Sequence, residues 1–455
     1  MYKRTIILSF LLITLITNSL VSADEYIIIG WNDLGMHCSN ENFSSIVILP
    51  PYNNILAQVI KKGDANTLPQ IITTGMRITY EIPGNTYSVG KTDFWNYEDL
   101  LFGVTLLADI GLQGHGLTGE LESVGTHYTV EGVPLTPYTD ADLVHEDPFQ
   151  LGLLKLYDQS NNLVATTQPV IPVSNEINCV SSGCHSSEQN ILNEHEDEGG
   201  FNPNNLPILC ANCHASNALG MAGNPNLPSL SEAIHKKHGD KTNNCYKCHP
   251  GPNTQCYRDV MKTEHNFTCQ TCHGSVKNVG ESISNGREPW FEEPSCGAPQ
   301  CHGSQYAEEP GKLYRQSHGH GGLLCSACHG EPHAILPSEN PRDNVQNIAL
   351  QGYAGTLNKC EVCHGVTPSG AGPHGITLSE CCTGIRGNVD NDPTQNIDIS
   401  DLVYLVDFMF TNGTVPFCIA EANINGDAGG TIDISDLVCL VDFMFTNGPA
   451  PVSCI

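Results

Sequence analysis

The chain has 455 residues, room for two to four domains, with 49 acidic residues against 20 basic and a formal net charge of −29. That balance excludes the basic surface that nucleic acid requires and any attraction to an anionic membrane. Most of the charge reads as the solvated acidic surface of an exported protein.

Residues 1–23 have the layout of a secretory signal: Lys3 and Arg4, an apolar run from Thr5 to Thr17, and Val21-Ser22-Ala23 at the cleavage positions. The apolar run is short for a membrane span, and no later segment reads as transmembrane. Export to the periplasm, the cell surface or the extracellular space is expected. The 21 cysteines fit a compartment where disulfides persist.

Residues 24–172 have the texture of an antiparallel β-sandwich. Apolar runs at 26–30, 43–49, 55–61, 76–82, 119–130, 151–157 and 162–171 are separated by Gly, Pro, Asn and Asp. Asn161-Asn162 fits a hairpin turn, and 100–112 fits a helix as well as a strand. The run Pro169 to Pro172 reads as a stiff linker.

From Cys179 to His364 one pattern recurs seven times: two cysteines, with a histidine after the second. Five copies are C-x-x-C-H: Cys210/Cys213/His214, Cys245/Cys248/His249, Cys269/Cys272/His273, Cys325/Cys328/His329 and Cys360/Cys363/His364. Two copies, Cys179/Cys184/His185 and Cys296/Cys301/His302, carry four residues between the cysteines. C-x-x-C-H is the attachment signature of c-type haem. Two thiols bond the porphyrin edge, and the next imidazole reaches the iron as proximal ligand. Chance at this composition gives roughly 0.04 copies, so a zinc site or thiol pair, reasonable for one copy, does not account for five. The longer copies still span the porphyrin edge if the extra residues loop outward.

The motif histidines stand 24 to 35 residues apart, with few apolar residues between them. That composition cannot fill an ordinary core, so the macrocycles are expected to supply it, with little regular secondary structure.

Six-coordinate iron needs a second ligand, and twelve further histidines are present: 37, 115, 127, 145, 195, 235, 238, 265, 318, 320, 333 and 374. His37, in the turn-like Gly35-Met36-His37-Cys38, and His195, His235, His238, His265, His318 and His333 are the distal candidates. Met221 or Met261 is an alternative for one of them. Most or all haems are therefore expected to be bis-histidine.

Three stretches carry a resemblance: 31–38 (WNDLGMHC), 245–256 (CYKCHPGPNTQC) and 269–274 (CQTCHG). With these the chain resembles secreted bacterial multihaem c-type cytochromes over about residues 31–375. The resemblance implies electron transfer through closely stacked haems, with a redox protein or an extracellular acceptor as partner. Some relatives assemble into conducting filaments. The two longer motifs depart from the commonest pattern.

Residues 381–455 form a different module. Asp398 to Gly413 recurs as Asp433 to Gly448, changed only at Tyr404/Cys439. Before each copy lie alternating oxygen-bearing residues: Asn388, Asp390 and Asp392, then Asp398 and Asp401; and Asn423, Asn425 and Asp427, then Asp433 and Asp436. Such side chains converge on a calcium ion in EF-hand-type loops. The repeat resembles a dockerin, which implies two calcium sites and a cohesin-like partner. Each loop is about two residues longer than a dockerin loop, and Pro393 and Ala428 stand where an EF-hand prefers Gly. A solvated acidic turn is the plain alternative. Helices are expected at 401–411 and 436–446, capped by Ser400 and Ser435.

Cys381, Cys382, Cys418 and Cys454 fit two disulfides, Cys38 and Cys256 a third, and Cys439 a free thiol. The expected architecture is thus a signal (1–23), a β-sandwich-like domain (24–172), a largely irregular haem-packed multihaem cytochrome region (173–380) and a small α-helical EF-hand-like domain (381–455). The expected function is electron transfer outside the cytoplasm by about seven haems, with the tail mediating calcium-dependent assembly or anchoring. The competing readings are a reductase with one open haem acting on nitrogen or sulfur oxyanions, and an adhesion component. No C-x-x-C-K motif, one mark of such a reductase, occurs.

Overall fold

The computed structural model describes residues 25–454 except 178, 198–201, 252, 369–371, 376–381, 383–385, 393–395, 412, 415, 417, 428–431 and 447. The signal-like segment, Cys381, Pro393 and Ala428 lie outside the described residues.

Strands β1 (Tyr26–Trp31), β2 (His37–Cys38), β3 (Ile46–Val47), β4 (Ile55–Lys61), β5 (Gln70–Ile71) and β6 (Arg77–Glu81) come first. After the short helix α1 (Glu98–Phe102) follow β7 (Thr118–Glu120), β8 (Glu122–Ser123), β9 (Tyr128–Val130), β10 (Phe149–Leu151), β11 (Leu153–Tyr157), β12 (Leu163–Thr167) and β13 (Val170–Ser174). One antiparallel sheet runs β1-β4-β9-β8 with β5 also on β4, and a second runs β12-β11-β6-β7. Ile28, Ile55, Ala57 and Val59 from the first pack against Ile78, Tyr80, Leu154 and Leu156 from the second. The β11–β12 hairpin turns at Asn161, whose φ of +63° is one that Asn tolerates.

The two sheets differ on their outer faces. β6 and β11 alternate buried and partly exposed residues, the usual pattern of a sheet wetted on one side. β1 is buried on both faces. Its outer residues Ile27, Ile29 and Trp31, with Ile60 of β4, pack on Leu324, Ala327, Leu357 and Val362 from the motif region.

The run Pro169 to Pro172 is not a linker. Val170–Ser174 is a buried central strand between β10 and β2. Its parallel pairing with β2 begins at Val173, past the proline that lacks a donor. The sandwich therefore extends to Ser174.

Beyond it come α2 (Glu188–Asp197), β14 (Ile208–Leu209), which pairs with β3, and α3 (Leu230–His238). There follow α4 (Val260–His265), α5 (Cys269–His273), α6 (Val276–Ser284), α7 (Cys325–His329), α8 (Pro341–Gln351) and α9 (Glu361–His364). Short helices thus carry more of this region than its composition implies. Between Ala211 and Leu324, Pro250, Tyr257 and Ile283 are the only buried apolar side chains among the described residues. Where a core would lie there is a connected cavity of about 3140 Å³.

The tail holds α10 (Ile399–Thr411), α11 (Ile419–Ala422) and α12 (Ile434–Phe445). α10 and α12 start two residues earlier than expected. Asp433, not Ser435, caps α12, accepting the Ser435 N–H at 2.7 Å, and Asp398 accepts that of Ser400 at 2.8 Å. Leu405 and Leu440 meet in the small core with Val389, Ala422 and Ile424. The outer stripes Ile399/Val403/Phe410 and Ile434/Val438/Phe445 are exposed.

Candidate metal and cofactor centres

Both motif lengths close in the same way. In the short motifs the histidine N–H returns to the first cysteine's carbonyl: His214 to Cys210 at 3.0 Å, His249 to Cys245 and His364 to Cys360 at 2.9 Å. The long motifs make that same bond across two more residues, His185 to Cys179 at 3.2 Å and His302 to Cys296 at 3.1 Å. The extra residues turn on themselves, with Gly183 bonded to Val180 and Cys301 to Ala298, both at 2.8 Å.

Six of the seven motif histidines face a second imidazole at nearly constant spacing. Ring centroids lie 6.1 Å apart for His185/His238, His235/His249 and His273/His333. They lie 6.0 Å apart for His195/His214, His320/His364 and His329/His374. Two metal–imidazole bonds of about 2 Å plus about 1 Å from each ring nitrogen to its centroid give about 6 Å. The interplanar angles range from 31° to 77°, as rotation about a shared axis permits.

Burial favours the neutral rings that such bonding needs. It pulls His249, His329 and His333 down to about 4, each with a neighbouring histidine adding to the effect. His235, His273, His364 and His374 are lowered for the same first reason.

Most of the motif thiols are raised by burial, while a hydrogen bond from Cys245 lowers Cys269 to about 6. Burial pushes Cys210, Cys296 and Cys328 up to about 12 and Cys248 and Cys363 to about 11. Among the described residues the one tight group of three potential ligands is Cys382, Glu421 and Cys454, whose cysteines form a disulfide. The motif residues therefore do not converge as a zinc cluster does, whereas paired rings around an apolar cavity fit a porphyrin. The cavity is lined by the cysteines and histidines of the first six motifs, Cys328 excepted. It is several times the usual small-ligand pocket of roughly 300–1,000 Å³.

Taking the motifs in chain order as sites one to seven, neighbouring sites share elements. α3 carries His238, facing site one, and His235, facing site three. α2 carries His195, facing site two, beside Glu194, which lies 3.9 Å from site one's His185. Cys245 and Cys269 share a hydrogen bond, which joins sites three and four. Cys296 lies near both Cys272 and Cys325, and Cys328 near Cys363. These contacts link the sites in the order two, one, three, four, five, six, seven.

Of the distal candidates, His195, His235, His238 and His333 face a motif histidine. His37, His265 and His318 do not, and His320 and His374 stand in such places instead. His37 Nε2 bonds Asp33 Oδ1 at 2.8 Å. His37 and Asn54 hold the Asp33 carboxyl below its usual range against the upward pull of burial. His265 packs near Phe267, and His318 Nδ1 bonds Glu309 Oε2 at 2.9 Å. Chain position alone does not separate His318 from His320.

The stretch around His37 is a joint between the two large regions. Arg258 Nη1 donates to the Gly35 carbonyl at 2.8 Å, while its Nε and Nη2 reach Asp343 at 2.6 and 2.9 Å. Gly35 has φ +77°, and a Cβ there would meet the Pro332 carbonyl oxygen at 1.8 Å. Glu331 Oε1 accepts the Asn32 N–H at 3.2 Å. Cys38 and Cys256 are neighbours but remain thiols, so the expected third disulfide is not formed.

In the tail, both loops use the same bonds. Asp401 accepts the N–H groups of Asp390 (3.2 Å) and Asp398 (2.8 Å). Asp436 accepts those of Asn425 (3.1 Å) and Asp433 (2.9 Å). Asn388 Nδ2 donates to the Asp392 carbonyl and Asn423 Nδ2 to that of Asp427, both at 3.1 Å. Asp401 and Asp436 are fully buried, and burial raises both carboxyls, Asp401 to about 6. Asn423 Oδ1 is buried with no hydrogen-bond partner. An all-oxygen set with buried carboxylates fits a hard divalent cation such as calcium. Cys382 and Cys454 are bonded to each other, and Cys418 is also disulfide-bonded. Cys439 is a free thiol.

No known protein family, curated protein or solved structure matches this chain. Among the described residues no helix is long and apolar enough to cross a membrane.

Proposed function

We propose that this is an electron-transfer protein working outside the cytoplasm, with seven haems bonded through the motif cysteines and most of them ligated by two histidines. The observation that carries the reading is the set of six imidazole pairs at 6.0–6.1 Å, five of them lining one cavity. Haem supplies one-electron redox chemistry; the chain supplies the rest. The cysteines would fix each ring in register, and the paired imidazoles would ligate its iron from both faces and favour a low-spin state. The order of sites gives a path with ends at the His214 and His364 sites. Partners are then redox proteins or an extracellular acceptor docking near those ends.

The tail is proposed as a dockerin-like, calcium-dependent assembly or anchoring module. Its duplicated oxygen-lined loops and exposed apolar stripes support that reading. A pyridine haemochrome assay combined with intact mass of the exported protein tests the main proposal. Seven covalent haems are expected; a compact protein with the mass of bare polypeptide would end it.

A further inference from the structure

All nineteen histidines fall within the described residues, so the pairing can be followed to its end. Six motif histidines have an imidazole opposite. The seventh, His302, does not: the ring at that spacing is Tyr306, at 6.1 Å. Tyr306 follows His302 by four residues on the same turn, and its ring also lies 5.0 Å from His374 of the next site. It belongs between two sites rather than across one.

The six remaining histidines make other contacts, His265 and His318 from within the same cavity. His37, His145 and His318 bond carboxylates, and His115 bonds the Glu131 carbonyl at 2.7 Å. His127 lies beside Thr126, and His265 beside Phe267. Of the nearby carboxylates, Glu309 pairs with Lys312 at 2.7 Å and Glu293 with Arg315 at 3.4 Å. Glu308 sits directly on the motif, accepting the Cys296 N–H at 2.6 Å.

We propose that the iron held at Cys296, Cys301 and His302 is the one position in the array that binds an exogenous ligand, and that the ligand is a small neutral diatomic. The Glu308 carboxylate on the motif disfavours an anion at this iron relative to a neutral ligand, so nitrogen and sulfur oxyanions are poor ligands here. The inference rests on the haem reading above and assigns one site within it.

The test is carbon monoxide titration of the reduced full-length protein, after intact mass has counted its haems. One carbon monoxide per seven haems is expected, with a high-spin ferric signal from a single haem, and with nitrite leaving the ferric spectrum unchanged. The double variant Cys296→Ser/Cys301→Ser should lose one haem and all carbon monoxide binding. If that variant does not fold, the wild-type stoichiometry and spin count still decide. Seven haems by mass with no carbon monoxide bound would overturn the inference and leave the array reading standing. So would binding at several haems, or a methionine-ligated spectrum at the His302 site. Absence of haem by mass would instead overturn the array reading itself.

Discussion

In the sandwich, side chains from two sheets fill the space between them: Ile28, Val59, Ile78, Leu154 and Leu156 are all buried at the centre. Between residues 212 and 323 the chain has comparable length, yet its short helices surround a cavity of about 3140 Å³. The first region carries its interior in its own sequence. The second has only the frame of one, and the proposed haems supply the remainder. The boundary between the two is not a linker. β1 is apolar on both faces because its outer face serves as a wall for α7 and α9. The self-sufficient region is thus finished only when the other is in place.

The largest effect expected from this contrast follows removal of the cofactor. Protein secreted from cells unable to attach haem should show amide exchange near the unfolded rate over 205–340. The amides of β6 and β11 should remain protected. β1 should exchange faster than in the holoprotein, since Ile27, Ile29 and Trp31 lose their cover. Uniform protection along the haem-free chain would sink the distinction between the two regions.

The joint should be next in size. Arg258 is 2 % and Asp343 0 % exposed at the side chain, and their bonds link α8 to the Gly35 turn. Arg258→Ala leaves a buried carboxylate without its cation, which costs roughly 3–5 kcal/mol. Arg258→Met with Asp343→Leu should recover much of that loss in chemical denaturation. If the double variant is as unstable as the single one, the pair is not what holds the joint.

How far the site could be read in advance depends on which neighbours decide it. The motif cysteines and histidines are legible because their spacing in the chain is short and repeated. His235 and His238 stand out because both precede a motif and lie on one helix. His37 was misleading because its partner, Asp33, lies four residues back, and the turn uses Asn32, Asn53 and Asn54 from separated loops. His374 is illegible: it stands 45 residues beyond His329, and only the fold brings the rings together. Pro172 concealed a strand because an interior proline is ordinarily a breaker, and only the register shows that its missing donor costs no pairing with β2.

His37 and His333 give a paired prediction on that point. His333→Ala should open a second iron, adding one carbon monoxide per protein with a modest change in stability. His37→Ala should leave the haem spectra unchanged but cost about 1–3 kcal/mol, because Asp33 loses a buried partner. A changed haem spectrum in His37→Ala would make it a ligand after all.

The tail provides a third kind of interior, a small apolar cluster tied by a disulfide and flanked by two oxygen-lined loops. Chelating calcium should melt this module alone, and the haem spectrum should not change. Asp401→Asn and Asp436→Asn should each weaken calcium binding by tenfold or more. If chelation leaves the melting curve unaltered, the loops are acidic turns and nothing more.

The smallest expected effect belongs to Glu146, at the seam between the regions. Burial, then Glu176 and Glu41, raises its carboxyl to about 7. Glu176 in turn accepts the Asn253 N–H at 3.2 Å and the Thr254 N–H at 2.9 Å from the motif region. A carboxyl raised in the fold holds its proton there while the unfolded chain has already lost it. The stabilisation is therefore full below the ordinary glutamate value and declines as pH rises through about 7. Glu146→Gln should flatten that decline, so variant and wild type diverge most above pH 7, the variant being the more stable. Other titrating groups are common to both proteins, so the difference between the two urea-melt series isolates this carboxyl. Parallel curves from pH 4.5 to 8 would mean that Glu146 is solvated at the seam, and that the sandwich and the motif region meet there more loosely than at Arg258.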